Sequence, residues 1–151
     1  DMGYNYRISD FQCALGINQL KKLDKFVQKR REVSDFYNKS FSSYNNIIIP
    51  EANSYIDHSY HLYPLQIDFD KLTIKKTTFF EKLKTSGIKL QVHYIPIHFQ
   101  PYYKKRFGLK EKTFLNAEKF YLNEVSLPIY YNLNNKDLKF IIEQIKNSMI
   151  Y

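Results

Sequence analysis

A chain of 151 residues with a formal charge of +8 has room for one modest hydrophobic core. Only 4 Gly and 5 Pro exclude a loop-built or low-complexity protein, and the lone Cys13 excludes an internal disulfide, which fits a reducing cytosol. No apolar run is long enough to span a bilayer, and the polar, aromatic start does not read as a signal peptide. The basic balance suits nucleic acid, an anionic surface or acidic small molecules, although abundant Lys, Asn, Ile and Tyr equally suit a codon-biased genome.

The first predicted element is one long helix over residues 9–41. Ser9 caps it, and Gln12 three residues on completes a capping-box pattern. Phe11, Leu15, Leu20, Leu23, Phe26, Val27, Val33, Phe36, Tyr37 and Phe41 recur at helical spacing. Lys21, Lys22, Lys25, Lys29, Arg30 and Arg31 fill the opposite face, which reads as a solvated surface covered by aliphatic stems. Residues 42–46 are a polar break, 47–50 a short apolar segment stopped by proline, and 51–59 an exposed loop. Residues 61–69 read as a strand, and Pro64 inside it predicts an edge position or a bulge. A helix over 75–86 stops at Gly87. A second strand follows over 88–94, then a rigid, proline-interrupted loop over 95–101. Residues 113–122 read as a short helix and 125–128 as a third strand. A turn over 132–135 leads into an amphipathic helix over 136–149. Few short strands among helices make a small mixed sheet with helices packed on it, an α+β domain.

Three constellations carry chemistry. Asn5 and Arg7 lie in the turn before the first helix, where an amide and a guanidinium suit an anion such as phosphate. On these residues alone a plain capping turn is the favoured reading. The run Gln91-Val92-His93-Tyr94-Ile95-Pro96-Ile97-His98 leaves a strand for a rigid loop, as a ligand-contacting edge does; His98 reads as structural. Its histidines do not have metal-ligand spacing, and with one Cys a structural zinc site is not expected. Tyrosines spread through the chain resemble a stacking surface, but no nucleic-acid module accompanies them. No nucleophile elbow, phosphate loop or dinucleotide fingerprint is present.

The ordered set of motifs carries more than any one of them. Gly3-Tyr4-Asn5-Tyr6-Arg7 with Gln12, Ala14 and Gln19-Leu20-Lys21-Lys22-Leu23 resembles the helix-entry motif of the DegT/DnrJ/EryC1/StrS sugar aminotransferases. His61-Leu62-Tyr63-Pro64, the 91–98 run and Ser126-Leu127-Pro128 follow in that family's order. The resemblance covers essentially the whole chain. Gln91 to Tyr94 and His61 to Pro64 are most similar to the branch serving pseudaminic acid biosynthesis, which uses a UDP-linked 4-keto-6-deoxy sugar.

This resemblance implies a fold-type-I enzyme dependent on pyridoxal 5'-phosphate. It implies that the chain is the C-terminal small domain, with residues 1–43 as interdomain turn and long linking helix and 44–151 as the domain proper. The cofactor-bearing large domain, with the Schiff-base lysine, would lie upstream, so no catalytic lysine is assigned here. Lys21 and Lys22 follow the motif on an outward face and do not take that role. Asn5 resembles an amide that reaches the cofactor phosphate of the neighbouring subunit of a homodimer, with Arg7 ordering the turn beside it. Gln91, Val92, His93 and Tyr94 resemble the segment lining the sugar-nucleotide pocket. The implied donor is glutamate and the implied compartment the cytoplasm, with no metal, nucleic acid or membrane as partner. By itself the chain is expected to be inactive, with Phe11, Leu15 and Leu20 left exposed along the linking helix. The alternative is a stand-alone, non-catalytic domain that binds a sugar nucleotide or another chain.

Overall fold

Ser9 opens the first helix as its sequence predicts. The computed structural model describes residues 3–149. In it the Ser9 hydroxyl accepts the Gln12 amide at 3.3 Å, and the Gln12 side chain accepts the Ser9 backbone N–H at 2.9 Å, a reciprocal capping box. The helix does not run through to Phe41. α1 (Asp10–Leu20) ends at the Lys21-Lys22 turn, and α2 (Leu23–Phe41) starts afresh. At the turn the Lys22 N–H bonds the Gln19 carbonyl at 3.0 Å, a tighter three-residue step. Packing explains the break. α2 buries Val33, Ser34, Tyr37 and Phe41, which fixes its direction, whereas α1 buries nothing and has no such restraint. Phe11 is 80% exposed, Leu15 55% and Leu20 69%, as expected for an unpartnered stripe.

Three strands form one antiparallel sheet in the order β1 (Ile47–Ile48), β2 (Tyr63–Ile67), β3 (Glu124–Leu127). β2 is therefore central, not the edge that Pro64 suggested. Register resolves the conflict. Pro64 stands opposite Ser126, whose N–H turns away from β2 to bond the Gln91 carbonyl. The pair is thus one that exchanges no ladder bonds, and the donor Pro64 lacks would point away from β3. On that side β1 pairs only with Gln66 and Ile67, so no acceptor is left waiting. The expected strand over 88–94 reduces to a single bridge between Gln91 and Ser126. It goes no further because the His93 N–H is taken by a carboxylate of Glu124 rather than by a backbone carbonyl.

The helices close the core over one face of the sheet. α3 (Lys76–Thr85) ends in a Schellman turn: Gly87 adopts φ 81°, and the Ile88 N–H reaches the Leu83 carbonyl at 2.8 Å. α4 (Pro101–Phe107) is a helix that the sequence reading passed over, starting on proline and ended by Gly108 at φ 63°. α5 (Leu115–Asn123) runs directly into β3. α6 (Asn135–Met149) is capped by the Asn134 side chain, whose Oδ1 accepts the Lys136 and Asp137 amides at 2.9 Å. α2 and α3 both pack on α6. Tyr63, Leu65 and Ile67 of β2 and Val125 and Leu127 of β3 meet Val33, Tyr37 and Phe41 of α2, Phe79 and Leu83 of α3, and the apolar stripe of α6. Each such side chain contributes roughly 1.5–3 kcal/mol on burial. Two phenols tie α2 to the sheet. Tyr37 Oη donates to the Pro128 carbonyl at 2.8 Å, and Tyr63 Oη donates to Asn38 Oδ1 at 2.6 Å. Among the described residues no helix is long and apolar enough to cross a membrane.

Candidate functional site

Alternation along β3 builds the site. Val125 and Leu127 stand opposite Leu65 and Tyr63 on the core face, so Glu124 and Ser126 occupy the other face. That face would suit solvent, yet Glu124 is 0% exposed and Ser126 5%. The segment from Gln91 covers them, held by three polar links. The Gln91 carbonyl accepts the Ser126 N–H at 2.9 Å. Glu124 Oε2 accepts the His93 backbone N–H at 2.9 Å. Ser126 Oγ donates to Glu124 Oε1 and lies 2.7 Å from His93 Nδ1. A buried carboxylate thus has a partner on each oxygen, as its burial requires.

The four expected pocket residues divide their work. Gln91 is exposed and contributes its backbone carbonyl to β3. Val92 lines a depression of about 530 Å³ with Lys76, Thr77, Phe80, Glu81, Tyr121 and Leu122. The imidazole of His93 sits edge-on to the Tyr94 ring, with centroids 4.6 Å apart. The peptide between these two residues is cis. Tyr94 is 72% exposed, as are Ile95 at 51% and Ile97 at 66%, so the rim is aromatic and apolar.

Lys76 is the one ammonium set into this apolar wall. Its Nζ donates to the Tyr121 carbonyl at 2.7 Å and lies within 6 Å of the Phe80 and Tyr121 ring centres. Burial lowers its pKa, while the nearby charge of Glu124 works in the opposite direction. A broader groove of about 950 Å³ adjoins the depression, sharing Lys76 and Leu122 and bringing in Lys71, Lys75, Lys112 and Lys119. Asp68, Asp70 and Glu118 also line it, so its character is basic but mixed.

His98 belongs elsewhere. It is 4% exposed, and its Nε2 lies 2.9 Å from Glu118 Oε1, while Glu118 also accepts the Lys112 and Phe114 amides. Burial pushes the Glu118 carboxyl up, but the Lys112 amide, the His98 ring and the Phe114 amide outweigh it and leave it below the usual carboxylate range. This pair staples α5 to the 97–99 turn, a structural role in line with the sequence reading. Among the described residues no group of three or more His, Cys, Asp or Glu converges as a metal site.

Asn5 and Arg7 lie in the exposed turn segment ahead of α1, where the Tyr6 N–H bonds the Tyr4 carbonyl at 3.1 Å and the two rings stack at 5.4 Å. No hydrogen bond among the described residues joins that segment to 91–98. The two candidate regions are therefore not assembled into one site within this chain. Lys21 and Lys22 are exposed at the α1–α2 turn. Sequence reasoning missed Glu124 and Lys76. Glu124 left a signal, because Glu-Val-Ser-Leu alternates polar and apolar, and a strand's polar face can be covered; Lys76 left none.

The family profile for the DegT/DnrJ/EryC1/StrS aminotransferases matches residues 1–146. The chain belongs to the DegT/DnrJ/EryC1/StrS aminotransferase family. It is 43% identical over 141 residues to the UDP-4-amino-4,6-dideoxy-N-acetyl-beta-L-altrosamine transaminase of Campylobacter jejuni, covering 93% of this chain and 37% of that protein. It is 40% identical over 146 residues to an uncharacterised protein of Methanocaldococcus jannaschii, covering 97% of this chain and 38% of that one. The structure of Helicobacter pylori PseC, an aminotransferase involved in the biosynthesis of pseudoaminic acid, superposes with a TM-score of 0.88 at 32% identity. That match covers 99% of this chain and 39% of PseC. The chain thus spans less than two-fifths of the length of the relatives it matches.

Proposed function

We propose that the chain is the C-terminal small domain of a pyridoxal-phosphate-dependent nucleotide-sugar aminotransferase. The reaction moves an amino group from glutamate to C4 of a UDP-linked 4-keto-6-deoxy sugar, for pseudaminic acid in a surface or flagellar glycan. The supporting observation is the Gln91–Tyr94 segment, which resembles the family's sugar-nucleotide wall and is pinned by buried Glu124 beside the Lys76 depression.

The residues present fit part of the cofactor. The Asn5 amide and the Arg7 guanidinium are exposed donors in the turn ahead of α1, suited to a phosphate brought by another domain or subunit. When bound, pyridoxal phosphate supplies the electron sink for amino transfer. The chain's own contribution is orientation. Val92 and the aromatic rim exclude water from one side of the sugar, His93 offers a ring nitrogen, and Lys76 with its neighbouring lysines attracts the diphosphate. The lysine that carries the cofactor lies outside these residues, so the chain alone does not catalyse. The working form is a homodimer in the cytoplasm, with Asn5 of one subunit serving the site of the other.

The test uses the product of the whole gene with glutamate and a UDP-linked 4-keto-6-deoxy sugar. Amino-sugar formation is expected, lost in Asn5→Ala and His93→Phe. A gene without a lysine-bearing cofactor domain upstream of Asp1, or a product that aminates no UDP-keto-sugar, would refute the proposal.

A further inference from the structure

His93 is held by its neighbours at one ring nitrogen only. Nδ1 lies 2.7 Å from Ser126 Oγ, and no described residue bonds Nε2. Which nitrogen carries the proton follows from donor bookkeeping. An ionised carboxylate only accepts, and both Glu124 oxygens do so, one from the His93 N–H and the other from Ser126 Oγ–H. The Ser126 hydroxyl has a single proton, and it is spent on Glu124. Its oxygen can meet Nδ1 only as an acceptor, so Nδ1 must be the donor. In the neutral ring Nε2 is then left with its lone pair.

We infer that Glu124 and Ser126 are positioning residues that lock His93 in the Nδ1–H tautomer, presenting Nε2 as a hydrogen-bond acceptor to a ligand. The ligand group it selects is a donor, a sugar hydroxyl or an N-acyl N–H, and a carbonyl in that place is rejected. The assignment of Nε2 to the sugar rests on the proposed function above; the tautomer does not. The relay also explains why a carboxylate is buried on the polar face of β3. A carboxamide in its place has one acceptor and one donor. The acceptor must face the His93 N–H, because two donors cannot meet there. The amide N–H₂ then faces Ser126 Oγ, whose proton swings to Nδ1 and forces the ring into the Nε2–H form.

The experiment is long-range ¹H–¹⁵N spectroscopy of the imidazoles in the ¹⁵N-labelled 151-residue chain, with the His93 signals identified by their loss in His93→Gln. Nδ1–H is expected in the unchanged chain. Ser126→Ala should shift His93 to the Nε2–H-dominated mixture of free imidazole, Ser126→Thr should restore Nδ1–H, and Glu124→Gln should invert the tautomer. A chain whose His93 is Nε2–H, or whose Nδ1–H persists unchanged in both Ser126→Ala and Glu124→Gln, overturns the inference. The dispersion of backbone amide signals verifies folding. If the buried Glu124→Gln change prevents folding, the Ser126→Ala and Ser126→Thr pair decides. Calorimetry with UDP-N-acetylglucosamine separates the two readings. Several-fold weaker binding in Glu124→Gln supports both, whereas Nδ1–H with no binding by the unchanged chain overturns the pocket assignment and leaves the relay standing.

Discussion

Tyr37→Phe removes a single oxygen from the joint between α2 and the strand that carries Glu124 and Ser126. Tyr37 is fully buried, and its hydroxyl donates to the Pro128 carbonyl directly after β3. Phenylalanine keeps the ring and its packing on Tyr63 and Phe41. The loss is therefore one hydrogen bond, about 1 kcal/mol at neutral pH. For a chain of this size that lowers Tm by roughly 2–4 °C. Alkali reverses the order. Burial, reinforced by Tyr130 and Tyr63, pushes the Tyr37 phenol far above its ordinary 10.0. A pKa raised in the folded state means the stability from the neutral hydroxyl is whole below 10.0 and is lost as pH rises beyond it, while the unfolded chain releases the proton. Each further unit costs wild type about 1.4 kcal/mol that the phenylalanine variant does not lose. The two stabilities should cross at roughly pH 10.5–11, with the variant the more stable above. Urea unfolding followed by circular dichroism, run on both proteins from neutral pH upward, measures the gap directly. A gap that stays constant through that range would refute the reasoning, since it would mean that Tyr37 ionises equally in both states.

Glu118 gives the acid counterpart. Its folded pKa lies below the ordinary 4.5, so its contribution is present above that value and fades as pH falls through the depressed one. Glu118→Gln should be destabilised at neutral pH, and its deficit in urea midpoint should shrink below pH 4.5; a deficit that persists unchanged in acid would argue against an ionised staple. Lys76→Met keeps the aliphatic stem between Phe80 and Tyr121 and removes a charge that burial penalises. Its stability should stay within about 1 kcal/mol of wild type, while calorimetry should show weaker UDP-sugar binding; a loss above about 3 kcal/mol would show the ammonium to be structural instead.

Legibility in the sequence followed local chemistry. The Ser9–Gln12 box, the Gly87 stop and the stripe Leu138, Ile141, Ile142, Ile145 each encode an element within a few residues, and each is found in the structure. The break at Lys21-Lys22 could not be read that way, because apolar spacing runs through it and only the absence of packing on α1 ends the helix. Pro64 misled for a similar reason. Its effect depends on which neighbour its missing donor would face, and that is set by the distant Ser126 and Gln91. In the candidate site the alternation of Glu124 and Ser126 along β3 was readable, but the link from Glu124 to His93 was not. The two are 31 residues apart, and their link exists only once β3 is in register. α4 is marked by Pro101 at its start and Gly108 at its stop, but Pro101 also reads, with Pro96, as part of a proline-interrupted loop.

α5 passes into β3 without a linker, Asn123 ending one and Glu124 starting the other. This junction acts as a gauge of chain length. One residue inserted or deleted there would turn Val125 and Leu127 outward and swing Glu124 into the hydrocarbon side, exchanging the two faces at a stroke. The loop stretches at 51–56 and 109–111 can lengthen or shorten with little consequence. Spacing from Phe120 to Ser126 cannot. Variation among sequences that keep this site should therefore appear as substitution in this stretch and as insertion in those loops.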